Sequence, residues 1–283
     1  MTTLASTFAN DVRAYNAAGV DGIGVWELKL AAGGDGEALE LLDASGLGSA
    51  AAVPAVPSIL PLPLMEGPDE PQERIEAICA SVHRLAAFGS SSIVCLTGPG
   101  DDRETVVAGL RTIGDEAERA GVRIGVEPVN RIGGEHWTMI TSLSESVELL
   151  EDVDHPALGI QFDTWHLWNT PSLLDDIDRH HDRFVGVHVS DWRDPTRSWA
   201  DRVLPGEGVA ALSAILGALD RAGWDGFYDL EIFSDNGMFG NAWPDSHWDV
   251  PAEELARAGK DAFERAWETR VHSPVDQVSP RAV

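Results

Sequence analysis

Residues 158–166 read LGIQFDTWH: a short apolar run that stops on a carboxylate, with a histidine three places further on. The same pattern returns in VRIGVEPVN at 122–130, FVGVHVSD at 184–191 and FYDLEI at 227–232. Each run is rich in β-branched or aromatic residues and bounded by glycine, proline or polar residues, which is how a buried strand reads. Each ends on or beside a residue able to bind a metal: Glu127, Asp163, His188 and Glu231. In a parallel barrel the carboxyl ends of the strands share one rim, so these four side chains would converge on one divalent cation.

Outward from these runs the chain alternates short strand-like segments with longer helical ones, the mark of repeated βα units around a parallel sheet. The strands are expected at Thr3–Ser6, Gly22–Trp26, Ala51–Ala55, Ser92–Leu96, Val122–Val126, Leu158–Phe162, Phe184–Val189 and Phe227–Ile232, the first supplied only to complete a count of eight. Between them, PQERIEAICASVHRLAAFG puts Ile75, Ile78, Val82 and Leu85 three and four residues apart, one apolar stripe for a sheet to cover. Gly19, Gly89, Gly121 and Gly223 each follow a helical run, where a left-handed C-cap is easiest for glycine. The expected fold class is α/β, a single-domain (β/α)8 TIM barrel over residues 1–269. Residues 270–283, polar and proline-containing, read as a surface arm or disordered tail.

Composition excludes more than it assigns. With 20 basic against 47 acidic residues and a formal charge of -27, the chain lacks the basic footprint that a phosphate backbone or an anionic membrane requires. Neither a signal peptide nor a long apolar span is seen, so a cytoplasmic protein is expected. Cys79 and Cys95 stand in no CxxC or Cys/His spacing and read as buried reduced thiols. Lys29, one of only two lysines, reads as a solvated rim residue and a poor Schiff-base candidate.

A lone acidic residue at a strand end is often a helix cap or a loop ion-pair partner. Four together are another matter, because a carboxylate inside GVEPV or YDLEIF is costly to bury without a cation or strong donors. Three carboxylates and one imidazole suit manganese first, then magnesium, and admit cobalt or zinc.

In this order, GVEPVN, FDTWH, HVSD and LE in successive βα units resemble the xylose-isomerase-like sugar (phosphate) isomerase/epimerase family, which shares its barrel with endonuclease IV. The likeness spans nearly the whole chain. It implies that Glu127, Asp163, His188 and Glu231 hold one divalent metal, and it implies proton abstraction beside the carbonyl of a ketose or keto-polyol. Glu127 and Glu231, on different staves, would take and return the proton; His166 is the alternative base or an electrophile that orients substrate. Arg202 and Glu207, in ADRVLPGEGV, resemble the family's substrate-binding loop, and Asp191 would support a ligand, join a second metal or cap a helix. Seven of ten tryptophans follow the later strands; Trp165 and Trp192 among them, with Trp26 on the opposite rim, are expected to contact substrate.

Two competing readings follow. The same metal and base serve a lyase, either an inosose dehydratase or the catalytic subunit of a C-glycoside deglycosidase acting on a 3-keto-glycoside. An endonuclease IV-like nuclease would need further histidines at the early strand ends, and none stands there. The expected partner is a small-molecule sugar or sugar conjugate, with no nucleic acid and no membrane. The chain is expected to form a homo-oligomer, or a hetero-oligomer with a small partner subunit if it is a deglycosidase.

Overall fold

The computed structural model describes residues 2–63, 65–130 and 137–271. Seven parallel strands run in the order β1 (Gly22–Trp26), β2 (Gly48–Val53), β3 (Ser92–Cys95), β4 (Arg123–Val126), β5 (Leu158–Asp163), β6 (Phe184–Val189) and β9 (Tyr228–Leu230). A separate antiparallel pair, β7 (Asp191–Trp192) with β8 (Arg202–Val203), pairs Trp192 with Arg202. The principal helices are α1 (Phe8–Ala18), α2 (Asp35–Ser45), α3 (Pro71–Ala86), α4 (Arg103–Ala120), α5 (Leu143–Val153), α6 (Thr164–Leu167), α7 (Leu173–His180), α8 (Leu212–Arg221) and α9 (Ala252–Glu268). The molecule is a single-domain α/β TIM barrel, nearly closed.

The helices pack as their spacing requires. Ile75, Ile78, Val82 and Leu85 on α3 are all buried, and each such side chain taken from water contributes roughly 1.5–3 kcal/mol. Gly19, Gly89, Gly121 and Gly223 all take positive φ (69°, 72°, 71° and 85°), the conformation in which glycine has no Cβ to clash.

The expected first strand is absent. Residues 2–5 form a turn, because Thr7 caps α1 by accepting from Asn10 N and leaves no length for an extended run. Side chains fasten this turn. Thr2 Oγ1 donates to Leu230 O and accepts from Ile232 N (3.2 Å), while Lys29 Nζ donates to Thr3 O (2.8 Å) and pairs with Asp11. Lys29 is therefore paired and largely buried, not solvated. The barrel keeps a seam between β1 and β9, into which β9 sends large side chains. A Cβ on Gly24 would lie 2.4 Å from Asp229 Oδ2, and one on Gly48 of β2 2.5 Å from the Phe227 ring just before β9, so a larger residue at either position would have to displace these side chains.

The predicted tail begins inside the described part. Arg270 pairs with Asp220 and lies 3.9 Å over the Trp267 ring, while residues 272–283 lie outside the described residues. Among the described residues no helix is long and apolar enough to cross a membrane.

Candidate metal centre

Parallel pairing in this order sets the carboxyl ends of β4, β5, β6 and β9 side by side. Asp163 is in register with His188, and the ladder continues past β9 through a Glu231 N–H bond to Val189 O (3.1 Å). Glu127 follows β4, held by its N–H to Cys95 O (3.2 Å). One ligand atom from each of Glu127, Asp163, His188 and Glu231 lies within 4.8 Å of all the others, and the four are between 0% and 6% exposed. No other such group stands among the described residues.

His188 Nδ1 stands 3.3 Å from Glu127 Oε1 and 3.5 Å from Glu231 Oε2. Arg202 Nη1 donates to both Asp163 Oδ2 and Glu231 Oε2 at 2.7 Å, and Asp163 Oδ1 accepts from Trp165 N (2.6 Å). The β7–β8 pair delivers this guanidinium, whose Cζ sits 4.9 Å from the Trp165 ring and 5.1 Å from that of Phe233.

Charge is the dominant fact here. Burial pushes the Glu127 carboxyl up to about 7, with the His188 hydrogen bond opposing and Glu231 and Asp163 adding. Burial acts to lower His188, but Glu231 and then Glu127 outweigh it and raise the imidazole to about 10. Burial also acts to raise Glu231, and His188 and Arg202 overcome it to hold that carboxyl low. Two like charges about 4 Å apart cost about 4 kcal/mol at an effective dielectric of about 20. Three buried carboxylates facing one arginine and one histidine carry two uncompensated negative charges when the imidazole is neutral. A divalent cation fits that deficit, and three hard oxygens with one nitrogen fit its coordination.

His166 is buried, and burial drives its pKa down to about 3, with Arg202 and His188 helping and Asp163 resisting. Its Nδ1 accepts from Asn130 N (3.3 Å), and its Nε2 lies 3.3 Å from the donor Arg202 Nη2 and 3.8 Å from Asp163, so both ring nitrogens face an N–H group.

A cavity of about 210 Å³ opens above the cluster. Glu127, Glu231, His166 and Arg202 line its floor; Trp26 and Trp165 stand in its wall. Glu207 and Trp192 do not line it. Glu207 instead accepts from Leu204 N (3.2 Å) and meets His247 at 3.5 Å, and Trp192 packs behind Trp165 at 4.6 Å between rings. Asp191 accepts from Trp192 N, Gly206 N and Ala210 N, so it fastens the loop after β6 and bonds no member of the quartet. Of the seven later tryptophans, Trp137, Trp165 and Trp199 reach the cavity; Trp168, Trp192, Trp243 and Trp248 anchor loops.

Sequence reasoning missed Phe233 and Phe239, both of which line the cavity. The available signal was Asp235 in SDNG, a turn-forming sequence. Its buried carboxylate accepts from the N–H groups of Gly237 (3.0 Å), Phe239 (2.9 Å) and Asn241 (2.8 Å), folding the loop that carries Phe239 to the rim.

The family model of the xylose isomerase-like TIM barrel matches residues 12–266. A 3-dehydroshikimate dehydratase of Pseudomonas putida is 27% identical over 252 residues, 82% of this chain and 37% of its own length. An inosose isomerase of Bacillus licheniformis is 26% identical over 165 residues, 57% of this chain and 54% of its own. The chain thus spans between a third and about half the length of these curated relatives. Among solved structures, protein SMc04130 from Sinorhizobium meliloti 1021 superposes with a TM-score of 0.80 at 26% identity, covering 94% of this chain and 95% of its own.

Proposed function

This chain belongs to the xylose isomerase-like TIM barrel family, and on that premise we propose that it is a divalent-metal-dependent isomerase or epimerase acting beside the carbonyl of a ketose or keto-polyol. The observation that carries this reading is the buried quartet Glu127, Asp163, His188 and Glu231, two of which, Glu127 and Glu231, line the cavity. These four would hold the ion, with manganese assigned first on the hardness of the donor set. When bound, the cation supplies positive charge for a substrate oxygen that turns negative as a neighbouring C–H proton leaves.

The remaining work falls to the chain. Glu127 and Glu231 come from different strands and flank His188, so one carboxylate takes the proton and the other returns one. Return to the opposite face of the same carbon gives an epimer; return to the former carbonyl carbon, with the hydroxyl proton moved, gives an isomer. His166, which lines the cavity beside Arg202, orients a substrate oxygen or serves as the alternative base, and Arg202 holds Asp163 and Glu231 in place. Elimination is the second reading, since the dehydratase of Pseudomonas putida aligns with 82% of this chain. There the electrons of the broken C–H bond expel a β-substituent, which leaves with the returned proton.

The two free thiols, Cys79 and Cys95, support a cytoplasmic location. The test is incubation of manganese-loaded protein with ketoses, inososes and 3-keto-glycosides in D2O, followed by NMR. Deuterium entry at the carbon beside the carbonyl without loss of mass is expected for an isomerase or epimerase, and loss of water or an aglycone for a lyase. No exchange with any of them overturns the assignment.

A further inference from the structure

The cavity above the metal centre is divided sharply. Every ionisable side chain that lines it among the described residues (Glu127, His166, Arg202 and Glu231) lies at the floor, and the other thirteen lining residues are apolar or aromatic. A free hexose or inosose carries hydroxyls all round its ring. In this cavity the hydroxyls remote from the floor would face carbon, with their hydrogen bonds to water lost and nothing in return.

The far wall is built of rings. Trp199 lies at its centre, 5.2 Å from Trp137, 5.4 Å from Phe233 and 4.9 Å from Phe239 between centroids. None of these four is fully buried, and Phe239 is 39% exposed at the rim, with Leu28, 55% exposed, across the opening. Aromatic surface left open around an empty space is surface that a ligand can cover. Nor is the rim loose, since three backbone N–H groups bound to Asp235 set the loop that carries Phe239. Among the described residues the one arginine in the lining, Arg202, is committed to Asp163, Glu231 and the His166 contact, which leaves none of them as a free cation for a substrate carboxylate or phosphate.

We infer that the substrate is a sugar conjugate in two halves: an oxidised sugar or polyol ring at the metal end, and an uncharged aromatic group held among Trp137, Trp199 and Phe239. This rests on the proton-transfer reading above and adds to it the substrate class. The aromatic half is bound by stacking on ring faces and edges, and the wall does not require it to react.

Unoxidised glycosides separate binding from chemistry. Phenyl β-D-glucoside and methyl β-D-glucoside are titrated into manganese-loaded protein, and affinity is read by calorimetry and by tryptophan fluorescence. The phenyl compound is expected to bind at least about tenfold more tightly, in keeping with a buried aromatic contact. Trp199→Ala should erase that preference while manganese content and the affinity for the methyl compound are kept. Phe239→Ala, at an exposed position where folding is not at stake, should reduce it by a few-fold. Equal affinity for the two glycosides, or a Trp199→Ala variant that weakens both alike, overturns the inference. Deuterium exchange with simple ketoses reports on the proton-transfer reading alone, so the two ideas fail separately.

Discussion

The strands β1–β3 and the strands β4, β5, β6 and β9 share one sheet, yet they end in opposite chemistry. The first group leads into Trp26, Val53 and Leu96 and gives the cavity carbon; the second ends on Glu127, Asp163, His188 and Glu231 and gives it charge. Arg202, brought by the β7–β8 pair, balances the charged side from within, whereas at the end of β1 Arg84 pairs with the buried Glu27 (3.1 Å), and neither lines the cavity. On the proposed reading the barrel separates two tasks that many sites mix: reaction on one arc, recognition of bulk on the other. The charged arc works against stability, through desolvation and like-charge repulsion, whereas the apolar arc is part of what keeps the fold.

Substitutions can break this contrast in order of size. Asp163→Asn, at a fully buried position of the proposed ligand set, should lower turnover by on the order of 10³-fold or more and abolish stoichiometric manganese, read by metal analysis and by exchange in D2O. On the other arc, Ile93→Ala empties a fully buried site and should cost about 3 kcal/mol, lowering Tm by several degrees with manganese stoichiometry unchanged. Arg202→Lys should retain the ion but reduce turnover by about 10–100-fold, because one ammonium cannot bridge Asp163 and Glu231 while stacking on Trp165 and Phe233. Thr2→Val, at the seam beside Glu231, removes only the hydroxyl that bridges Leu230 O and Ile232 N. It should cost about 1 kcal/mol in denaturant unfolding. If Ile93→Ala loses manganese, or Asp163→Asn keeps it, the division of labour is wrong.

The charged arc was far more legible in the sequence than the apolar one. A charged residue closing a strand-like run is a local signal, and four repetitions made it a pattern that needed no coordinates. The span Phe184–Val189 was read to the residue, while Ala51–Ala55 was placed late and observed as Gly48–Val53, since alanine and glycine carry little strand preference. Thr3–Ser6 rested on a count of eight; its composition favours no strand, and the cap on α1 takes its length. Phe233 and Phe239 were illegible for another reason. Their positions are set by a loop wound on Asp235 and by contact with Trp199, and neither leaves a periodic trace. Glu207 shows the same limit, because its loop turns it to its own backbone and His247.

The seam has a consequence for how the site is held together. Strand β9 has three residues and hydrogen-bonds in the sheet only with β6, yet Glu231 follows directly from it. Three of the quartet thus sit on the interior of the sheet and the fourth at its border. An ion shared by the four would clasp that border to the middle, so that ion supply and barrel closure rise and fall together. Amide protection along residues 228–232, followed as a chelator withdraws the ion, should fall before that of β4, β5 or β6.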